Sequence, residues 1–121
     1  MKKTKLTKQY YYHNVKLIKI VDGDTFRLNI DMGNHIHWEE NFRLYGIDTP
    51  ELSTEEGKKV KKLAIELFKN KKVEVETYAP DKYGRWLAEI FFIDKEEKKV
   101  NYNMWIIDNG YSKQYYGGKK G

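Results

Sequence analysis

Residues 25–31 alternate strictly, with Phe26, Leu28 and Ile30 on one side and Arg27 and Asn29 on the other. A period of two is the pattern of a half-buried strand. The run at 15–21 before it is apolar and β-branched, interrupted by Lys16 and Lys19, and reads as the first strand. Asp22-Gly23-Asp24 turns the chain between these two. Met32-Gly33-Asn34 marks a hairpin, after which a third strand is expected over 35–47. Such length implies a bend, and Gly46 is the residue for it. Val73 and Val75 alternate with Glu74 and Glu76 over 72–78, a fourth strand, and 86–93 reads as a fifth.

The period changes after Pro50. Val60, Leu63, Ala64, Leu67 and Phe68 recur at helical spacing, and Lys58, Lys59, Lys61 and Lys62 fill the other faces. Ser53 with Glu56 has the spacing of a capping box, which predicts the start of that helix. A second helix is expected over 103–109, with Met104, Ile107 and Trp105 inward and Gly110 as its C-terminal cap. The elements predict an α+β chain, mostly β: a five-stranded OB-fold barrel with a helix between strands 3 and 4 and a C-terminal helix. Residues 1–14 read as a basic, tyrosine-rich arm, 15–116 as the single domain and 117–121 as a flexible tail. In the arm, Tyr10-Tyr11-Tyr12 reads as a packing strip rather than a base-stacking platform.

Composition narrows the classes. The chain has 121 residues, room for one domain. Its net charge is +5, which attracts polyanions, and its ten tyrosines offer faces for bases, so nucleic acid suits it better than a membrane surface. It has no cysteine, which excludes disulfides, zinc–thiolate sites and thiol chemistry. No apolar run has the length of a transmembrane helix. Met1-Lys2-Lys3 lacks the apolar segment of a signal peptide. The chain as it stands is therefore expected in the cytoplasm, or outside the cell if a leader has been removed. His35 and His37 read as residues of an exposed hairpin.

The chemistry gathers in three short motifs. Asp22-Gly23-Asp24-Thr25 is the first, Phe42-Arg43-Leu44-Tyr45-Gly46-Ile47-Asp48-Thr49-Pro50-Glu51 the second and Asp81-Lys82-Tyr83-Gly84-Arg85 the third. Asp22-Gly23 alone is an ordinary turn. Asp24 and Asp48, each following an apolar strand, gain meaning together: two carboxylates converging at strand ends repel unless a cation joins them. Oxygen-only ligands suit Ca²⁺ or Mg²⁺ and disfavour zinc. Glu51, stiffened by Pro50, has two readings: an acid that stabilises the start of the following helix, or a group that orients or deprotonates an attacking water. The motif context favours the second. Arg43 faces away from Phe42 and Leu44. With Arg85 it could clamp phosphate oxygens two at a time, although Arg85 could equally tie its loop to the barrel.

Taken in this order, the motifs resemble the staphylococcal-nuclease-like (thermonuclease, micrococcal nuclease) family over residues 15–116. The resemblance implies an OB-fold barrel and a calcium-dependent endonuclease, a hydrolase of phosphodiester bonds. Its substrates would be DNA and RNA, cut with little sequence specificity to leave 3′-phosphate ends. It implies Ca²⁺, with Mg²⁺ the weaker candidate, held by Asp24, Asp48 and the carbonyl of Thr49, with Asp22 near but outside the ligand set. It assigns the catalytic roles to Arg43, Glu51 and Arg85. Lys82 and Tyr83 match positions that contact a nucleotide's terminal phosphate, and Tyr115 or Tyr116 a position that packs on a base. No membrane contact is implied, and a monomer is expected. The alternative is a non-catalytic OB-fold module that binds single-stranded nucleic acid or a protein partner. Inactive relatives typically lack one of the key side chains, whereas Asp24, Arg43, Asp48, Glu51 and Arg85 are all present here. One departure is a segment between Glu51 and the helix that is shorter than in the family's secreted prototype.

Overall fold

The structure is a computed structural model that describes residues 10–115. Residues 1–9 of the expected 1–14 arm, Tyr116 and the 117–121 tail lie outside the described residues, and of Tyr115 only the backbone is described. The elements run β1 (Tyr10–Asp22), β2 (Thr25–Asp31), β3 (His37–Leu44), β4 (Gly46–Asp48), α1 (Glu55–Phe68), β5 (Lys72–Tyr78), β6 (Trp86–Ile93), β7 (Lys99–Asn101), α2 (Tyr102–Asp108) and β8 (Lys113–Tyr115). The main sheet has the order β3-β2-β1-β5-β6-β7. It closes on itself where β3 pairs in parallel with β6, Phe42 opposite Trp86 and Leu44 opposite Ala88. The closed ring is the expected five-stranded barrel.

The alternating residues do what their period requires. Phe26, Leu28, Ile30, Val75, Ala88 and Ile90 are fully shielded inside the barrel. α1 closes one end with Val60, Ala64 and Phe68, and the Phe68 ring stands edge-on to Phe26 and Phe92. Each such buried aromatic contributes about 2–3 kcal/mol by burial alone. No described helix is long and apolar enough to cross a membrane.

β1 starts at Tyr10, five residues before the expected Val15. Its first part pairs with β5 and its later part with β2, and register shifts between Tyr12 and Val15 and between Leu17 and Lys19 coil it between the two partners. Backbone pairing with β5, not hydrophobic alternation, makes Tyr10 to Asn14 a strand. Of the expected packing strip only Tyr12 packs against the core, while Tyr10 and Tyr11 are exposed. The expected bend at Gly46 is present: its φ is +84°, and it opens β4 after Tyr45 breaks the strand. β4 then pairs with β8, a short strand that no local pattern announces.

Two expectations are corrected. The cap of α1 is Thr54, not Ser53: its hydroxyl accepts from Gly57 N at 3.0 Å and donates to the Glu51 carbonyl at 2.6 Å. α2 begins at Tyr102, capped by Asn101, and buries Tyr102, Asn103 and Ile106. Met104, expected inward, is exposed. The phase differs because a polar residue, Asn103, belongs inside. Its Oδ1 accepts from Ile90 N, and its Nδ2 donates to the carbonyls of Tyr45 and Ala88. Gly110 ends α2 as expected, with φ +81°, Gly110 N bonded to Ile107 O and Tyr111 N to Ile106 O.

Candidate active site

Asp22 caps the turn into β2 by accepting from Asp24 N at 3.1 Å. Gly23, between them, has no room for a side chain. A Cβ there would lie 2.5 Å from Val60 Cγ1 and 2.9 Å from Thr49 Oγ1. The Gly23 carbonyl accepts from the buried Tyr102 hydroxyl at 2.9 Å. Both helices and the Thr49 segment therefore hold this one turn, which fixes where Asp24 starts. Burial of that hydroxyl, reinforced by the charges of Asp24 and Asp22, raises its pKa well above the usual tyrosine range.

Asp24 is largely buried, its side chain 13% exposed. Its Oδ2 accepts from Thr49 N at 3.1 Å and lies 3.4 Å from Arg43 Nη1. Burial, with Asp22 beside it, pushes the carboxyl up to about 6, against the pull of Arg43 and the Thr49 N–H. Arg43 stands on the outward parity of β3, as its neighbours Phe42 and Leu44 require. Its Nη1 donates to the Leu44 carbonyl at 3.2 Å, and its Nη2 lies 3.7 Å from Asp48 Oδ1. The guanidinium thus bridges Asp24 and Asp48. Asp48 sits at the end of β4, where its N–H donates to Ser112 Oγ at 2.9 Å and its residue pairs with Lys113 of β8.

Glu51 lies on the loop between β4 and α1. Its carbonyl accepts from both the N–H and the hydroxyl of Thr54. Gly57, in the first turn of α1, presses against the same carbonyl so closely that a Cβ would lie 1.9 Å from it. Arg85 lies in the loop before β6. Its Nε and Nη2 both reach Asp81 Oδ2 at 2.9 Å, while Asp81 Oδ1 accepts from the N–H groups of Tyr83 and Arg85. Partial burial works against the Asp81 charge, but these donors win and hold the carboxyl below its usual range. Gly84, at φ +77°, lets this loop close.

Asp22, Asp24, Arg43, Asp48, Thr49, Glu51 and Arg85 line one cleft of about 660 Å³, together with Glu40, Asn41 and Trp86. Lys82 and Tyr83 do not line it. They stand exposed beside Arg85, with the Lys82 ammonium and the Arg85 guanidinium over the Tyr83 ring. The backbone of Tyr115 pairs with Gly46 in β8, and Tyr116 is outside the described residues.

The cleft is acidic inside a basic chain. Five carboxylates, those of Asp22, Asp24, Glu40, Asp48 and Glu51, face two arginines, one of which Asp81 already holds. A phosphate alone would be repelled there, whereas a hard cation would be attracted. The donors are all oxygen. Among the described residues no set of three His, Asp or Glu side chains forms a ready metal site. Donors that are all oxygen and short of a full protein shell would suit only a hard cation that takes most of its ligands from water or substrate.

Sequence reasoning missed the braces: Tyr102 on the Gly23 carbonyl, Asn103 between β6 and Tyr45, Ser112 under Asp48 and Gly57 against Glu51. Only Gly57 left a signal, since a glycine in the first turns of a helix costs about 1 kcal/mol and calls for a packing reason.

The model of the staphylococcal nuclease homologue family matches residues 41–120. This is more than half of the sequence, and the chain belongs to that family. The match takes in Arg43, Asp48, Thr49, Glu51 and Arg85, while the Asp22 to Asp24 turn lies before it. No curated protein matches the chain.

Proposed function

We propose that the chain is a cation-dependent phosphodiesterase that hydrolyses DNA and RNA with little sequence preference, Ca²⁺ being the ion and Mg²⁺ the weaker candidate. The observation that carries this reading is one cleft that holds an excess of carboxylates, a bridging arginine and a second arginine in its lining. Asp24, Asp48 and the Thr49 carbonyl are the groups that would hold the ion. When bound, it neutralises that excess and polarises a phosphoryl oxygen.

The chain's own residues divide the remaining work. Arg43, fixed between two acids, presents its planar fork at the place where a phosphate would gain charge. Glu51, held at its backbone by Thr54 and Gly57, takes a proton from the attacking water as the water oxygen bonds to phosphorus. The bond from phosphorus to the 5′ oxygen breaks, and that oxygen collects a proton from solvent. The products are a 3′-phosphate and a 5′-hydroxyl. Arg85 can turn from Asp81 to the phosphate because two backbone N–H groups still satisfy Asp81. Phosphate contacts carry no sequence information, hence the weak sequence preference.

The rival reading is a non-catalytic OB-fold module that binds single-stranded nucleic acid or a protein. The pairing of Arg85 with Asp81, which occupies one of the two arginines, favours it. One experiment separates the two: incubation with single- and double-stranded DNA and RNA in Ca²⁺, Mg²⁺ or chelator, alongside Asp24→Asn. The enzyme reading expects cleavage that needs the ion, stops with chelator and needs more Ca²⁺ in the variant. Binding without cleavage under every condition would establish the module instead.

A further inference from the structure

We infer that Trp86 is the platform of a nucleobase subsite at the mouth of the cleft. The inference rests on the phosphodiesterase reading, which leaves this ring without a role. Trp86 opens β6 with the same inward parity as Ala88 and Ile90, but it sits at the end of the barrel, where the interior meets the cleft. It is half-buried and lines the cleft beside Glu40 and Asn41.

The ring is held from behind. It stands edge-on to Trp38, centroids 4.9 Å apart at 81°, and Trp38 stands edge-on to the buried Phe42 at 5.0 Å and 71°. A ring fixed in this way loses little rotamer freedom when a ligand stacks on it, which is how rigid aromatic anchors bind well. Its place in the chain is equally informative. Arg85 is the preceding residue, and the parallel pairing of β3 with β6 sets Phe42 opposite Trp86 and Arg43 opposite Leu87. Trp86 also shares the cleft lining with Arg43 and Arg85, so a phosphate held by the two arginines would have an aromatic ring in the same cleft.

Charge decides which part of a nucleotide goes there. Glu40 stands at the same mouth, and a carboxylate repels phosphate while accepting from the amino and ring N–H groups of bases. Stacking is tolerant of base identity, so the subsite adds affinity without adding sequence specificity. It does add a structural preference. A base can reach the Trp86 ring only when it has left a helical stack, so single strands should be better substrates than duplexes.

The test compares the parent, Trp86→Leu and Trp86→Tyr on two single-stranded chains of equal length, one carrying bases and one made of abasic deoxyribose phosphates. The thermal midpoint of each variant is measured alongside. The parent should prefer the base-bearing chain by about tenfold to a hundredfold in kcat/KM. Trp86→Leu should lose that preference while cleaving the abasic chain like the parent, and Trp86→Tyr should keep most of it. Equal losses on both chains for Trp86→Leu would overturn the inference and leave Trp86 as a plug for the barrel mouth. A second readout does not need cleavage. A mononucleotide should quench the parent's tryptophan emission, deoxyribose phosphate should not, and Trp86→Tyr should abolish the quench. If the parent cleaves neither chain, the phosphodiesterase reading falls, and the quench alone decides whether the base subsite stands. It would also decide if Trp86→Leu failed to fold, with an unchanged quench in Trp86→Tyr overturning the subsite.

Discussion

Replacing Arg43 with lysine keeps the charge and removes the fork. The guanidinium reaches the carbonyls of Leu44 and Asp24 and bridges two carboxylates whose oxygens lie 3.4 and 3.7 Å from it. A shorter side chain ending in a single ammonium cannot meet all four. Two hydrogen bonds to carbonyls, at about 1 kcal/mol each, are at risk. The remaining ammonium still offsets the acids, so the stability loss should be about 1–3 kcal/mol rather than the 3–5 of a broken buried pair. For a domain of this size that lowers the thermal midpoint by about 5–15 °C, and the variant stays folded at 25 °C. Turnover should fall much further, by about 10² to 10³, the usual effect of losing one preorganised donor to a developing anion. Affinity for an uncleaved nucleotide analogue should change by less than about tenfold, because that loss is confined to the transition state. The assay is therefore a triplet for each protein: turnover, analogue affinity and thermal midpoint. Parent-like turnover would make Arg43 a structural strut between two aspartates. Equal losses in turnover and analogue affinity would assign it to substrate holding.

Glu51→Gln keeps the shape and removes the base, so turnover should drop by about 10² or more with an unchanged thermal midpoint; turnover within a few-fold of the parent would make Glu51 a helix-start acid. Gly57→Ala should reverse the usual gain of about 1 kcal/mol for replacing a helical glycine. The new Cβ would lie 1.9 Å from the Glu51 carbonyl, so denaturant titration should show a loss and turnover should fall with it. Glu74, on the opposite side of β5 from the core, gives a pH prediction. Burial opposes its charge, but hydrogen bonds from His13, Tyr11 and Lys99 win and hold the carboxyl down to about 2. A depressed carboxyl contributes stability above its unfolded value, near 4.5, and loses it as pH falls toward 2. His13 and Lys99 are themselves exposed, so screening keeps the contribution to about 1 kcal/mol, and Glu74→Gln should flatten stability against pH across that window.

The legible parts of the fold are those with a repeating pattern. β2 and the stripe of α1 each bury one face, so a period of two or near four appears in the sequence, whereas β5 and β6 bury residues of both parities and stand out by their apolar content. β7 and β8 have three residues each, too few for any period to register. The tyrosine-rich start of β1 is a strand because β5 lies beside it, and a partner from 60 residues away leaves no local trace. α2 was misphased because the helix wheel assumes that asparagine faces water. Asn103 instead substitutes for missing backbone partners between Tyr45, Ala88 and Ile90. The lining of the cleft was legible as an inventory, since Asp24, Arg43, Asp48, Glu51 and Arg85, scattered along the sequence, come together there. The parity of β3 even placed Arg43 correctly, opposite to Phe42 and Leu44. The braces were not legible. Tyr102, Ser112 and Gly57 act on segments that touch only after the barrel closes.

The two arginines are occupied in different ways, and the difference suggests a division of labour. Arg43 is 13% exposed and locked to acids that are themselves largely buried. Arg85 is 49% exposed, and its pair with Asp81 is a surface ion pair, worth about 0–1 kcal/mol. Breaking the second pair costs little, and Asp81 keeps its two backbone donors afterwards. Arg43 is thus a fixed wall and Arg85 a movable one. A phosphate entering the cleft would meet the first already oriented and recruit the second. On the phosphodiesterase reading, discrimination between ground and transition state would fall on Arg43, the group that cannot follow the substrate, because only a donor that holds its place favours the geometry reached last.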